Sequence, residues 1–488
     1  MSKKDNNVKD GRVKRQATFM EAIITVLVLV GLFVLGTILD VNYVPIMLFV
    51  ATFTGFMGWR CGFPFSEMEE SVGERIRRAL PVMSLLLAIG TLIAGLMFSG
   101  TLPMLIYYGL QIVQPRWVVL FSFLLCAIFS VATGTSNGSA STAGLAMTGL
   151  AYTMPGVNLG MVAGACYAGA MFGDKVSPLS DTTVLAALVT ENDIFDHIRH
   201  QFKTVGPAAL ISIIIYTVYG LMQPGTVIET NEASIQMLNT LDSMFKWNII
   251  LLIPIVIILW GALTKKPSNI TILAAAISGI IIGVLYQGFS LADGIDALYG
   301  GFNAKFILAA NPNFDIGGMS ENISLLVNRG GITSMVKSFT VVFIAMYFAG
   351  IADLIGVLRV IVNRLFKLVN SVGSLILVSG LSCMFLSGIG SSTTIGIIIG
   401  GELFKDKYEE MGLDSLNLSR TLEDFGTGST GFFPWTHSAM LYAAVLSSNS
   451  LTFLRYSYMS WIIWILALIY GFTGIGIKKL DPVNVHVK

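Results

Sequence analysis

The chain has 488 residues, 54% of them hydrophobic and 12% charged, with a formal net charge of +1 at pH 7; a soluble domain carries roughly 25% charged residues. A soluble enzyme would have to hide all of this apolar sequence in cores, and the near-zero net charge points to no nucleic-acid partner. Apolar runs near the ~20 residues that a spanning helix needs recur along the length, which defines an all-α integral membrane protein.

In chain order, residues 1–18 form a basic tail in which Lys3, Lys4, Lys9, Arg12, Lys14 and Arg15 outweigh two aspartates. The excess of Lys and Arg is expected to hold this tail in the cytoplasm. The tail is too polar, and the span after it too long, for a cleaved signal peptide. Continuous spans are predicted at 20–39, 44–59, 80–99, 117–133, 204–222, 247–263, 269–287, 336–351, 372–386 and 456–476. Asp40 reads as a boundary residue. Arg60, Arg75, Arg77 and Arg78 fall two crossings after the tail, again on the cytoplasmic side. A first membrane unit is expected over 19–222, a linker with one amphipathic piece over 223–246, a second unit over 247–477 and a tail over 478–488. Residues 288–335 read as a loop or short helices at the membrane surface. The four cysteines, Cys61, Cys126, Cys166 and Cys383, have no CxxC spacing and read as small core residues.

Two regions, 134–190 and 387–448, are apolar but interrupted by Gly, Ser and Thr, which makes them poor simple spans. They also repeat. "FSVATGTSNGSASTAG" (129–144) matches "FLSGIGSSTTIGIIIG" (385–400), with Phe129 on Phe385, Gly134 on Gly390 and Ser136 on Ser392. "PLSDTTVLAA" (178–187) resembles "PWTHSAMLYAA" (434–444), so that Asp181 meets His437. "IAGLMFSG" (93–100) and "FAGIADLIG" (348–356) keep nearly the same shift. Two related halves with matching broken helices follow.

A helix broken inside hydrocarbon leaves free N–H and C=O groups, tolerated only where the break is buried in protein or faces water and ions. Secondary transporters use paired breaks in this way. Carbonyls and hydroxyls suit a hard cation such as Na⁺; helix N-termini suit an anion. An ionised Asp at mid-bilayer costs about 2.5–3.5 kcal/mol on insertion scales, so Asp174 and Asp181, on either side of Pro178, call for a function. The break is predicted at 173–180, with 157–172 entering it and 180–189 leaving it. Asp181 then lies in the first helical turn, where it can cap free N–H groups or hold a cation. Lys175 can pair with either aspartate. In the second half, Glu423 and Asp424 point about 100° apart on a helix, so only one faces a given site. Arg420 can pair with Glu423 at i, i+3. His437 can bond a neighbour or handle protons. Ser136, Asn137, Thr182, Ser391, Ser392 and Thr393 would supply neutral oxygens.

"GDKVSPLSDTT" (173–183) and "LSRTLEDFGT" (418–427), the latter followed by a Gly/Thr/Ser-rich break and Pro-Trp, resemble the NhaC family of Na⁺/H⁺ antiporters. The resemblance covers about residues 19–477. It implies about 10–12 transmembrane helices in two inverted repeats with re-entrant hairpins, and exchange of Na⁺ for H⁺ across the cell membrane. It also implies a homodimer, by analogy with other members of the superfamily. No cofactor is expected beyond the transported ions. Asp174 and Asp181 are the first candidates to hold Na⁺ and H⁺, with Glu423 and Asp424 next. Burial favours the protonated carboxyl and bound Na⁺ the ionised one, so one site yields exchange. Exchange of a small organic anion, as in malate and lactate carriers of the same family, stays open, with Lys175, Arg420 or His437 as positive partners. An amino-acid transporter on the same fold also stays open. No HExxH and no GxxxxGK[ST] loop occurs, which speaks against an enzyme.

Overall fold

The computed structural model describes residues 13–39, 41–154, 156–223, 232–264, 266–319, 321–448 and 450–480. Asp40, the first twelve residues, most of the predicted C-terminal tail and the start of the 223–246 linker lie outside them. Among the described residues the chain is helical, with one isolated bridge between Leu413 and Lys479.

The first half runs α1 (Phe19–Ile38), α2 (Tyr43–Arg60), α3 (Phe65–Ser99), α4 (Thr101–Ile112) and α5 (Val118–Thr133). A broken segment follows, made of α6 (Ser136–Ser139), a π turn (Ala140–Gly144) and α7 (Leu145–Tyr152). Then come α8 (Leu159–Val176), α9 (Asp181–Val189) and α10 (Ile194–Met222). α11 (Glu232–Met244) lies in the linker. The second half has α12 (Ile253–Leu263), α13 (Ser268–Ile282), two short helices α14 (Leu291–Gly300) and α15 (Glu321–Val327), α16 (Gly331–Leu354) and α17 (Val357–Phe366). It closes with α18 (Val372–Ile389), α19 (Thr393–Glu410), α20 (Ser415–Gly426), α21 (His437–Val445), α22 (Ser450–Arg455) and α23 (Tyr458–Thr473).

Seven of the described helices, or eight if a pair bent by 95° is one span, are long and apolar enough to cross a membrane singly. Several helices beside the breaks are short, and α8 and α19, 18 residues each, carry charged residues and are less apolar than a single span, so the count is below the 10–12 expected. Lipid-facing stripes are visible directly. Leu210, Ile214, Val218 and Leu221 on α10, and Ile270, Ile277 and Ile281 on α13, stand exposed at helical spacing, an apolar surface that water does not tolerate.

The repeat is visible in the backbone. α3 and α16 both end just before a left-handed glycine that starts the next helix, Gly100 (φ 84°) and Gly356 (φ 74°). At the same offset Glu191 (φ 55°) and Ser447 (φ 50°) share the left-handed region, unusual for residues with a Cβ. Packing follows the same rule: α3 packs on α13 as α2 packs on α16, and α10 packs on α20 as α8 packs on α23. The α5–α8 seam closes because Gly169 and Gly173 face α5. A Cβ on Gly169 would overlap the carbonyl of Phe123, and one on Gly173 would overlap the backbone of Ser130 and Val131.

Three expectations are corrected. α8 continues to Val176, so the break is 177–180 and Asp174 sits in the last helical turn. The apolar segment alone does not mark where α3 begins: it starts at Phe65, and Arg75 lies inside it and 6% exposed. α10 starts at Ile194, nearly three turns before the predicted span at 204, because Asp193 caps it by accepting from the N–H groups of Phe195 and Asp196.

Candidate functional site

The breaks meet at the centre of each half. Pro178 cannot donate a hydrogen bond, so the chain between α8 and α9 is held by serine instead. Ser177 Oγ donates to Val131 O at 2.9 Å and accepts from Leu179 N at 3.3 Å. Gly134, left-handed at φ 67°, lies against Leu179, too close for a Cβ. In the second half Trp435 Nε1 donates to Gly388 O at 2.9 Å, tying the 427–436 break to the end of α18.

The last turn of α8 brings Asp174 over this junction. Its Oδ2 accepts from Ser136 Oγ at 2.6 Å, and its Oδ1 from Ser180 Oγ at 2.7 Å. Thr183 Oγ1 donates to its carbonyl at 2.8 Å. Ser180 Oγ lies 3.1 Å from Thr182 Oγ1, and Thr182 Oγ1 donates to Glu423 Oε1 at 3.2 Å. One hydrogen-bonded chain therefore runs Ser136–Asp174–Ser180–Thr182–Glu423, from the first half into the second. Glu423 is 0% exposed, and its Oε2 has no partner among the described residues. Hydrogen bonds to an ionised group contribute about 1.5–3 kcal/mol each, and an orphaned buried acceptor leaves room for a ligand or water.

Counting protons gives this chain its chemistry. Three oxygen–oxygen contacts join Asp174 to Glu423. The two hydroxyls between them carry one proton each. With both carboxylates ionised, one contact lacks a proton and two negative charges remain. One added proton, on either carboxyl, completes the chain. One added cation would use the same oxygens instead.

The remaining candidates fall elsewhere. Asp424 points to α10, where its Oδ1 accepts from Gln201 Nε2 at 2.7 Å and Thr204 Oγ1 at 2.9 Å; the expected divergence from Glu423 is seen. Asp181 occupies the first position of α9 and is exposed, with no side-chain hydrogen bond among the described residues. Asn137 is half-buried beside Ser136. Ser391 and Ser392 form the α18–α19 break, where Ser391 Oγ accepts from His437 N at 3.3 Å. His437 takes the first position of α21 as Asp181 does in α9. Thr393 packs near Gly426 at the end of α20.

Two pairings expected from sequence do not form. Lys175 makes no ion pair with Asp174 or Asp181. Its ammonium is buried and donates to the carbonyl of Glu423 and, at 3.4 Å, to that of Asp424. The negative end of the α20 dipole takes the place of a carboxylate. Arg420 donates to Gly476 O at 3.1 Å and stacks over Tyr470 rather than meeting Glu423. Ser180, Gln201 and Thr204 were not singled out by sequence. Gln201 and Thr204 precede or begin the apolar run and read as boundary residues; only the register of α10 against α20 shows that they face Asp424.

Paired broken helices around hydroxyl-bonded carboxylates that are half-buried or buried define a secondary transporter rather than an enzyme. The sequence model of the Na⁺/H⁺ antiporter family matches residues 169–475. An uncharacterized Na⁺/H⁺ antiporter of Haemophilus influenzae is 38% identical over 96% of this chain and 98% of its own. The malate-2H⁺/Na⁺-lactate antiporter of Bacillus subtilis is 34% identical over 94% and 96%, and the Na⁺/H⁺ antiporter NhaC of Alkalihalophilus pseudofirmus 30% over 93% and 94%. The chain belongs to the Na⁺/H⁺ antiporter family. It is a multi-pass membrane carrier that exchanges Na⁺ for H⁺.

Proposed function

We propose that Na⁺ and H⁺ exchange at the Asp174–Glu423 site. The observation that carries this reading is the unbroken chain of oxygens between a half-buried carboxylate, Asp174, and a fully buried one, Glu423, from the two halves. Both ions satisfy the same deficit: two carboxylates facing one another need a positive charge, and burial makes the unoccupied state costly. A proton completes the hydrogen-bond chain. Na⁺ instead takes carboxylate and hydroxyl oxygens as ligands, and the hydroxyl protons turn away from it. Occupancy by one excludes the other, so a carrier that turns only when occupied exchanges them.

The carrier works in the cytoplasmic membrane with its basic N-terminal tail inside, where Lys14 and Arg15 join the clasp that closes the α1 and α3 ends. Arg15 and Arg60 both bind Glu21, at 2.6 and 2.9 Å, and Lys14 binds Glu67 at 2.6 Å. The guanidinium of Arg15 is held more firmly protonated by this contact. A homodimer agrees with the large exposed apolar faces. No cofactor is needed, since the transported ions supply the charge. The relative named for malate and lactate makes an organic anion a second cargo to test.

The test is competition. In proteoliposomes, lowering pH on the side from which ²²Na⁺ enters should raise the Na⁺ concentration for half-maximal uptake and leave the maximal rate. A fall in maximal rate at constant half-saturation would separate the proton site from the Na⁺ site and reject this reading.

A further inference from the structure

α17 follows one span, α16, and precedes another, α18, so it lies at the membrane face where α16 ends and α18 begins. Ala17 N donates to Ile355 O at 2.8 Å, and α17 packs on α1; this is the face that carries the basic tail. At 10 residues, about 15 Å, α17 is too short to cross the ~30 Å hydrocarbon layer. Its sequence divides by face. Val357, Leu358 and Val362 are buried, and α17 packs on α1, α16 and α18. Arg359, Asn363, Arg364 and, just past the helix end, Lys367 are exposed. None of the three cations has an ion pair among the described residues. The acid that precedes α17 in sequence, Asp353, acts on Arg75 of α3.

The repeat supplies a comparison within the molecule. α4 starts at Gly100 as α17 starts at Gly356, so the two helices hold equivalent places. α4 has the sequence TLPMLIYYGLQI, without a charged residue, and α7 and α11 pack on it. An apolar helix therefore meets the packing needs of this place, and the cations of α17 answer to something outside the chain. Their neighbours say what. Arg364 lies over the ring of Phe19, 5.7 Å from its centroid, and Phe19 and Leu368 stand 38% and 61% exposed. Cations beside exposed apolar side chains, at the ends of spanning helices, match a headgroup and the top of its acyl chain together. A free phosphate or an acidic soluble protein would use the charges and leave Phe19 and Leu368 against water. Basic side chains on the polar face of an interfacial helix attract anionic lipid.

We propose that α17 binds the headgroup of an anionic phospholipid, with Arg359, Arg364 and Lys367 on the phosphate and Phe19 and Leu368 beside the acyl chain. A headgroup held there would fix the link between α16 and α18, and α18 leads to the break at Gly390. The surface stands apart from Asp174 and Glu423, so the proposal holds or fails independently of exchange at that site.

The test is thermal unfolding of the full chain in phosphatidylcholine nanodiscs with rising fractions of phosphatidylglycerol. Both leaflets carry the same lipid, so the outcome does not depend on which face is cytoplasmic. The melting temperature should rise and saturate, and the rise should fade at high salt. Arg359→Gln, Arg364→Gln and Lys367→Gln should each raise the half-saturating fraction roughly fivefold, and the three together should abolish the saturable rise. The single changes decide the matter if the triple variant fails to fold. Lys246→Gln, Lys305→Gln and Lys337→Gln combined, three exposed cations elsewhere, should leave the response as in wild type. An unaltered response in the α17 triple variant, an equal loss in the second triple variant, or an equal rise from inorganic phosphate in phosphatidylcholine alone would overturn the proposal.

Discussion

Thr182 is the residue on which the account turns most finely. Its hydroxyl is the link between Ser180 and Glu423, and its methyl is not involved. Thr182→Val keeps the shape and removes the link. It should raise the Na⁺ concentration for half-maximal exchange by roughly tenfold, the size of one hydrogen bond to a charge, while Thr182→Ser stays near wild type. Exchange kinetics in vesicles read both. Lys175 has a different task. Its ammonium holds the end of α20 by its carbonyls, across the two halves. Lys175→Met should destabilise the fold by about 1–3 kcal/mol, the cost of orphaned buried acceptors, seen as a lower melting temperature in detergent whether or not Na⁺ is present. The sequence showed both residues as polar groups near a proline. It did not show which would face a carboxylate and which a helix end, because that depends on how α8 and α9 meet α20.

Among the elements, α5 and α8 are joined most tightly, and glycine sets the distance. Gly169→Val or Gly173→Val must push α8 off α5, with overpacking costing about 1–3 kcal/mol or more; thermal unfolding should show it. Gly73→Ala, on an exposed face of α3 with nothing within 4 Å of the new Cβ, should instead stabilise the helix by about 0.5–1 kcal/mol and raise the melting temperature slightly. The broken helices were legible in advance, since Gly, Ser and Pro interrupt apolar runs at repeated positions. Their limits were not. Asp174 and Lys175 look like break residues in sequence, yet Gly173 O accepts from Ser177 N at 2.9 Å and the helix runs on to Val176. A polar residue marks the neighbourhood of a break, but the backbone hydrogen bonds decide the residue. Arg75 shows the same limit: its basic stretch reads only as a cytoplasmic flank, and the structure puts it inside α3, 6% exposed, donating to Gly390 O beside the α18–α19 break.

Over the whole molecule, the proposed exchange site draws on both halves. Asp174 comes from the first and Glu423 from the second, and Lys175 and Tyr167 carry hydrogen bonds across the same boundary, Tyr167 to the carbonyl of Gly428. The repeat places equivalent breaks face to face, but it does not place equivalent side chains: Asp181 is matched by His437, and the carboxylate opposite Asp174 is Glu423. A carrier built from two halves with one shared site can expose that site to either side as the halves shift, and the electrical work of each turn then follows its net charge, about 2.3 kcal/mol per charge per 100 mV. The most direct test is dye-reported collapse of a pH gradient in everted vesicles on adding NaCl, with choline chloride as the control. Wild type should collapse the gradient with NaCl, and Asp174→Asn and Glu423→Gln should each abolish the response while reaching the membrane at normal levels. An undiminished Na⁺ response in either variant would contradict the account, because exchange would then not need both ends of the chain.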